Sequence, residues 1–133
     1  MSFLSKLILG FFVISIFVPK AYAEAIPREV AVRIILSEAA DQGFKGMVCV
    51  GEVLRHRGST KGFYGYQSNR LKQKSKALQA IALRAWEESA HTNYTKGADH
   101  FENIRKFGKP AWVKHCIKTS EYKDHVFYKE IRR

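Results

Sequence analysis

Residues 34–57 read IILSEAADQGFKGMVCVGEVLRHR, two apolar stretches at helical spacing separated by the turn residues Asp41-Gln42-Gly43. Just upstream the pattern has already begun: Ala31, Ile34, Ile35 and Glu38 recur at intervals of three and four, so they share one helix face. Pro27-Arg28-Glu29 suits the start of that helix. Proline loses nothing in a first turn, and a carboxylate there meets the positive end of the dipole. On the other side of the turn, Met47, Val50, Gly51 and Leu54 share a face of a second helix, from Phe44 to about Arg57, although Gly46 and Gly51 weaken its propensity. The stretch predicts two helices joined by a tight turn, with one carboxylate, Glu38, aimed at the side where the apolar residues gather.

Further along, residues 58–74 (GSTKGFYGYQSNRLKQK) hold three glycines and no sustained period, which reads as a long excursion or a short irregular sheet. Ser75 is a suitable N-cap for a third helix, in which Leu78, Ile81, Ala82, Ala85 and Trp86 make a core-facing stripe. Asp99–Asn103 and His125–Lys129 read as short strands on either side of a turn at Gly108-Lys109-Pro110. Three helices followed by a smaller β portion make an α+β class, compact and mainly helical, without repeats or an interdomain linker.

Working back to the N-terminus, Lys6, the apolar run Leu7–Val18 and Ala21-Tyr22-Ala23 have the layout of an export signal. Residues 1–23 are expected to be a signal peptide cleaved after Ala23, and 24–133 a single catalytic or binding domain. An uncleaved membrane anchor is the alternative; with cleavage, no stable anchor remains. The protein is then exported, to a periplasm or to the outside. Of 133 residues, removing 23 leaves 110, enough for one modest core. The removed part holds two lysines and no acid, so 21 basic side chains face 12 acidic ones, a charge of +9.

Such a charge attracts anionic polymers without choosing among them. A nucleic-acid partner is not expected, because charge is its sole support and no groove-reading or RNA-binding signature accompanies it. Nor is a metal or other cofactor: His56, His91, His100, His115 and His125 form no ligand spacing, and a Gly-rich phosphate loop is lacking. Cys49 and Cys116 lie in a chain expected to leave the reducing cytoplasm, so they either pair or stay as separate buried thiols. A bridge closing so long a loop stabilises by about 4 kcal/mol when unstrained.

A buried Glu38 would hold its proton near neutral pH, as an acid that protonates a departing glycosidic oxygen must. Periodicity alone favours the other reading, a helix-end glutamate that curls to solvent or pairs with a basic side chain.

LSEAADQGFKGMVCVGEVLRHR resembles the opening of the SleB/CwlJ-type cell wall hydrolase family, whose pattern is G-E-A, a few turn residues, E-G-Q, a small-apolar helix and N-R. Glu38-Ala39, Gly46 and Arg57 match it. Gly97-Ala98 with Phe101 and Asn103 is similar to G-A-L-Y-F-H-N-P, Trp112 stands where the family has a tryptophan, and DHVFYK (124–129) resembles N-H-R-F-Y-R. The likeness covers nearly the whole of residues 24–133.

What the resemblance implies is a lysozyme-like domain with Glu38 as the acid acting on peptidoglycan glycan strands, by lytic transglycosylase or muramidase chemistry. His100, Phe101, Asn103, Trp112, His125 and Tyr128 become the candidate substrate-binding residues. The chain departs from the pattern at Ser37, Ala40, His100, Glu102 and Ile104. Glu102 is either an added electrostatic partner or an unrelated surface charge, and the surface charge is the favoured reading. A transglycosylase needs one acid/base group, whereas hydrolysis normally uses a second carboxylate; Asp41, Glu52, Asp99 and Glu102 are the candidates. Phe63, Tyr64, Tyr66 and Phe127 either stack on sugars or pack in the core. Lys61, Arg70, Lys72, Lys74 and Lys76 either hold an anionic polymer or form a solvated face. The rival reading is a non-catalytic module that binds peptidoglycan or another anionic wall polymer.

Overall fold

The structure, a computed structural model, describes residues 25–132, so the expected signal peptide lies outside the described residues. Helix α1 (Arg28–Ala39) begins at Pro27, whose carbonyl accepts the Ala31 N–H at 3.0 Å, and Glu29 sits in its first turn. It buries Ala31, Ile34, Ile35, Leu36 and Ala39, the face set out by the three-four spacing. The chain reverses at Gly43, whose φ of 72° is one that a side chain would resist.

Helix α2 (Gly43–Arg57) buries every residue from Gly46 to Leu54, because it packs against helices on one side and strand on the other. The cost of Gly51 in a helix interior has its reason here: a Cβ at that position would stand 2.7 Å from Ser89 Oγ. The helix closes at Gly58, left-handed at φ 67°, with its N–H on the Leu54 carbonyl.

Residues 58–74 form two 3-10 turns, Gly65–Gln67 and Asn69–Gln73, in place of any sheet. This excursion is tied to α1. The Arg33 guanidinium donates twice to the Tyr66 carbonyl, at 2.9 and 2.7 Å, and Gly65 lies so near Ser37 that a Cβ there would overlap its hydroxyl. Ser75 caps helix α3 (Lys76–Glu88) by accepting the Leu78 N–H at 3.1 Å. Ala82, Ala85 and Trp86 are buried as the stripe predicts, but Ile81 lies at its margin, 37% exposed. The three helices enclose the larger core, which includes Phe63 and Leu71 from the excursion.

Strand β1 (His100–Glu102) leads into a single helical turn, α4 (Ile104–Phe107), and a 3-10 turn, Ala111–His115. Strands β2 (Cys116–Tyr122) and β3 (His125–Glu130) form a hairpin turning at Lys123, where φ is 49°. The antiparallel sheet has the order β1-β3-β2, with Phe101 opposite Phe127 and an irregularity between Lys118 and Ser120. The sequence reading anticipated β1 and β3 and missed β2.

A second, smaller core of Cys49, Val53, Ala98 and Phe127 joins the sheet to α2. Alongside it the buried Glu52 carboxylate accepts four hydrogen bonds: from the Thr92 hydroxyl (2.6 Å), the Tyr94 N–H (3.0 Å), the Thr95 N–H (2.9 Å) and the Thr95 hydroxyl (2.9 Å). This ties the segment before β1 to α2. The disulfide considered from the sequence is absent: Cys49 is enclosed in the second core, Cys116 opens β2 opposite Glu130, and both thiols are free. Burial pushes the Cys49 thiol up to about 12, which leaves it un-ionised. Among the described residues no helix is long and apolar enough to cross a membrane.

Candidate active site

Three elements converge on one open groove of about 510 Å³: the last turn of α1 brings Glu38, the end of α2 brings Arg57, and β1 brings His100 and Glu102. Ser59, Lys61, Gly62 and Phe63 from the excursion, Phe101 from β1, Trp112 from the 3-10 turn and Glu130 from β3 complete its walls. A larger hollow of about 700 Å³ lies between α1 and α3, but Glu29 is its sole carboxylate and no aromatic ring lines it. Acid chemistry therefore has its means in the smaller groove.

Glu38 is half-buried. Its carboxyl is held above the usual carboxylate range, first by burial and then by the negative charge of Glu102, with Arg57 acting in the opposite sense. None of the described residues donates a hydrogen bond to it. The proton-bearing form is thus favoured by its surroundings while the group stays open to the groove.

Arg57 is a fixed charge. Its guanidinium donates to the Asp99 carbonyl at 2.9 Å and the Lys61 carbonyl at 2.8 Å, and lies 4.4 Å from the Phe63 ring centre. On the same side Asp99 Oδ1 meets His100 Nδ1 at 2.8 Å and accepts the Glu130 N–H at 2.9 Å. Burial works to raise the Asp99 carboxyl, but the His100 bond and the Glu130 N–H outweigh it and the net displacement is downward. His100 in turn packs against Trp112 with its ring tilted, centroids 4.9 Å apart, while Phe63 stacks on Phe101 at 5.8 Å. The groove has an acid on one side and aromatic surfaces beside it, an arrangement suited to an apolar sugar face and a protonatable oxygen.

Of the residues singled out from the sequence, Glu38, His100, Phe101 and Trp112 line this groove together. Asn103, His125 and Tyr128 do not. Asn103 Oδ1 caps α4 through the Lys106 N–H. His125, 6% exposed, packs 4.7 Å from the Phe101 ring, and burial holds its imidazole below the usual histidine range. Tyr128, 5% exposed, meets the Trp112 ring edge-on at 5.5 Å. These last two back the lining residues and do not face the groove.

Glu102 corrects the expectation of a surface charge, since it lines the groove with Glu38. The other candidate carboxylates are engaged elsewhere: Asp41 with Gln42, Glu52 in its hydrogen-bond network, Asp99 with His100. Among the basic residues Lys61 reaches the groove, whereas Arg70, Lys72, Lys74 and Lys76 do not. Phe63 reaches it too, while Tyr64 and Tyr66 do not. The sequence marks Arg57 as a motif match without a role, and its place at the end of α2 is the signal for one. Glu130, at a strand end, offered no signal.

No protein-family model and no curated protein matches the sequence. Solved structures do. The catalytic domain of the SleB protein of Bacillus cereus superposes with a TM-score of 0.52 at 15% identity, over 79% of this chain and 96% of that one. The catalytic domain of the germination-specific lytic transglycosylase SleB of Bacillus anthracis superposes with a TM-score of 0.55 at 16% identity, over 84% of this chain and 100% of that one. The chain has the α+β fold of those domains.

Proposed function

We propose, from the fold shared with SleB catalytic domains and the groove built around Glu38, that this chain is an exported enzyme that cleaves the MurNAc–GlcNAc backbone of peptidoglycan as a lytic transglycosylase. The observation that carries the reading is the Glu38 carboxyl, half-buried at the groove, raised in pKa and with no hydrogen-bond donor among the described residues. In this reading a glycan strand lies along the groove with sugar faces against Trp112 and Phe63. Glu38 gives its proton to the glycosidic oxygen as the bond to the anomeric carbon breaks. The resulting carboxylate takes the proton of the sugar's own hydroxyl, whose oxygen closes on the anomeric carbon to form an anhydro ring. Glu38 ends protonated, ready for another cycle, and water takes no part.

Glu102 supports a second outcome, hydrolysis, because it places another carboxylate on the same groove. Digestion of purified peptidoglycan by the mature protein, with Glu38→Gln alongside, separates the readings by mass spectrometry of the fragments. Anhydro-muramic ends that vanish with the variant are the expected result. Reducing ends mean hydrolysis. No fragments from folded protein, across pH and wall types, with wall binding indifferent to Glu38→Gln, mean a binding module.

A further inference from the structure

Helix α1 brings Glu38 to the groove and β1 brings Glu102. β1 is an edge strand whose single neighbour is β3, with Glu102 opposite Val126. All three residues of β1 line the groove, His100 and Glu102 from one face of the strand and Phe101 by a ring that also packs on Phe127 and His125. Glu102 Oε1 accepts the Asn103 N–H at 2.8 Å, which anchors the carboxylate at the strand end. Among the described residues no cation forms an ion pair with it.

The charged and titratable groups around Glu38 come from every wall: Glu102 and His100 on β1, Arg57 at the end of α2, Lys61 on the excursion and Glu130 on β3. Arg57 is committed to two backbone carbonyls, and His100 is turned to Asp99. Arg57 is the charge that favours loss of the Glu38 proton and, beside burial, Glu102 is the one that opposes it. Its field crosses a groove walled by protein, where screening is weaker than in bulk water.

We propose that Glu102 is a positioning residue for the Glu38 proton: an anchored negative charge that keeps the acid loaded for delivery to the glycosidic oxygen and hastens its reloading. The inference rests on reading Glu38 as the acid. Once Glu38 has given up its proton, two carboxylates share one groove, and their repulsion favours recovery of a proton from the attacking sugar hydroxyl. The Arg57 charge acts in the opposite sense, so that the proton is not held too tightly to leave.

The test is a carboxyl NMR titration of protein labelled with 13C-glutamate, without substrate, the Glu38 signal being the one that Glu38→Gln removes. In Glu102→Gln the Glu38 midpoint falls toward the ordinary carboxylate value; in Glu102→Asp it stays raised. High salt moves the wild-type midpoint in the same direction as Glu102→Gln. In peptidoglycan digestion, the alkaline limb of the Glu102→Gln profile moves to lower pH, giving a several-fold loss at about pH 8 and little at about pH 5. An unmoved Glu38 midpoint in Glu102→Gln with a native amide spectrum overturns the proposal. Should that variant not fold, Glu102→Thr is judged by the same criterion, and should neither fold, a wild-type midpoint indifferent to salt overturns it. A midpoint that moves in a protein that digests no wall instead sinks the enzymatic reading and leaves the coupling standing.

Discussion

Two glutamates on neighbouring helices have opposite surroundings. Glu52, in the middle of α2, is fully buried and accepts four hydrogen bonds. Glu38, in the last turn of α1, is half-buried, accepts none from the described residues and faces another carboxylate. The first has everything that stabilises a carboxylate in a protein interior; the second lacks it. Burial alone does not mark a functional acid, since the more deeply buried of the two ties a loop to a helix. The mark is burial without satisfaction, beside a groove.

The sharpest way to break this contrast is to make both sites neutral amides. Glu38→Gln is expected to lower peptidoglycan cleavage by at least about 100-fold with its fold intact, measured by release of soluble fragments and circular dichroism. Glu52→Gln turns an acceptor into a donor facing N–H and O–H groups. It is expected to cost about 2–4 kcal/mol in denaturant unfolding, with any loss of activity following the loss of folded protein. Equal effects of the two on stability would erase the distinction.

pH sharpens it further. Glu38 has a folded pKa above its unfolded one, so its contribution to stability is full below the unfolded value and lost as pH rises through the folded value. Melts of Glu38→Gln and wild type should then coincide in acid and separate near neutrality, with the variant the more stable. His125 runs the other way. Its folded pKa is depressed by burial, so its contribution is full above about pH 6.5 and is lost as pH falls through the folded value. The wild-type melting temperature is expected to drop between about pH 7 and about pH 5. The smallest effect belongs to Trp112→Ala, which removes one aromatic surface while Glu38 stays in place. It is expected to weaken glycan binding by about 3–10-fold, read as a rise in KM with less change in kcat.

The helical part was legible because its signals are redundant: spacing, a proline start, a serine cap and glycine turns agree over residues 27–88. The sheet was only partly so. β2, CIKTSEY, has no fully buried residue and sits on the sheet's outer edge, so no alternation of apolar and polar residues announces it. Glu102 was misjudged for a related reason, since a strand of three residues carries no period to say which way its side chains turn. Glu38 could be picked out because helical spacing put it with Ala31 and Ile34 and because Glu38-Ala39 matches the family pattern; spacing by itself favoured a plain helix-end glutamate. Asn103, His125 and Tyr128 stood in similar motif blocks, yet a motif does not distinguish a residue that faces a groove from one that props its wall. For Cys49 and Cys116, the number and compartment of thiols say that a bridge is allowed, while only geometry says whether the two can meet.

Gly65 and Ser37 occupy what is in effect a single volume shared by two positions 28 residues apart. With the Ser37 hydroxyl turned as it is on the last turn of α1, a side chain at 65 fits only if that hydroxyl swings away. The choice at 37 therefore legislates for 65, and a substitution scan of either position in isolation would misjudge it. Gly65→Ala meets an obstacle in this chain that it would not meet beside a glycine at 37, so the two sites are open to exchange only as a pair.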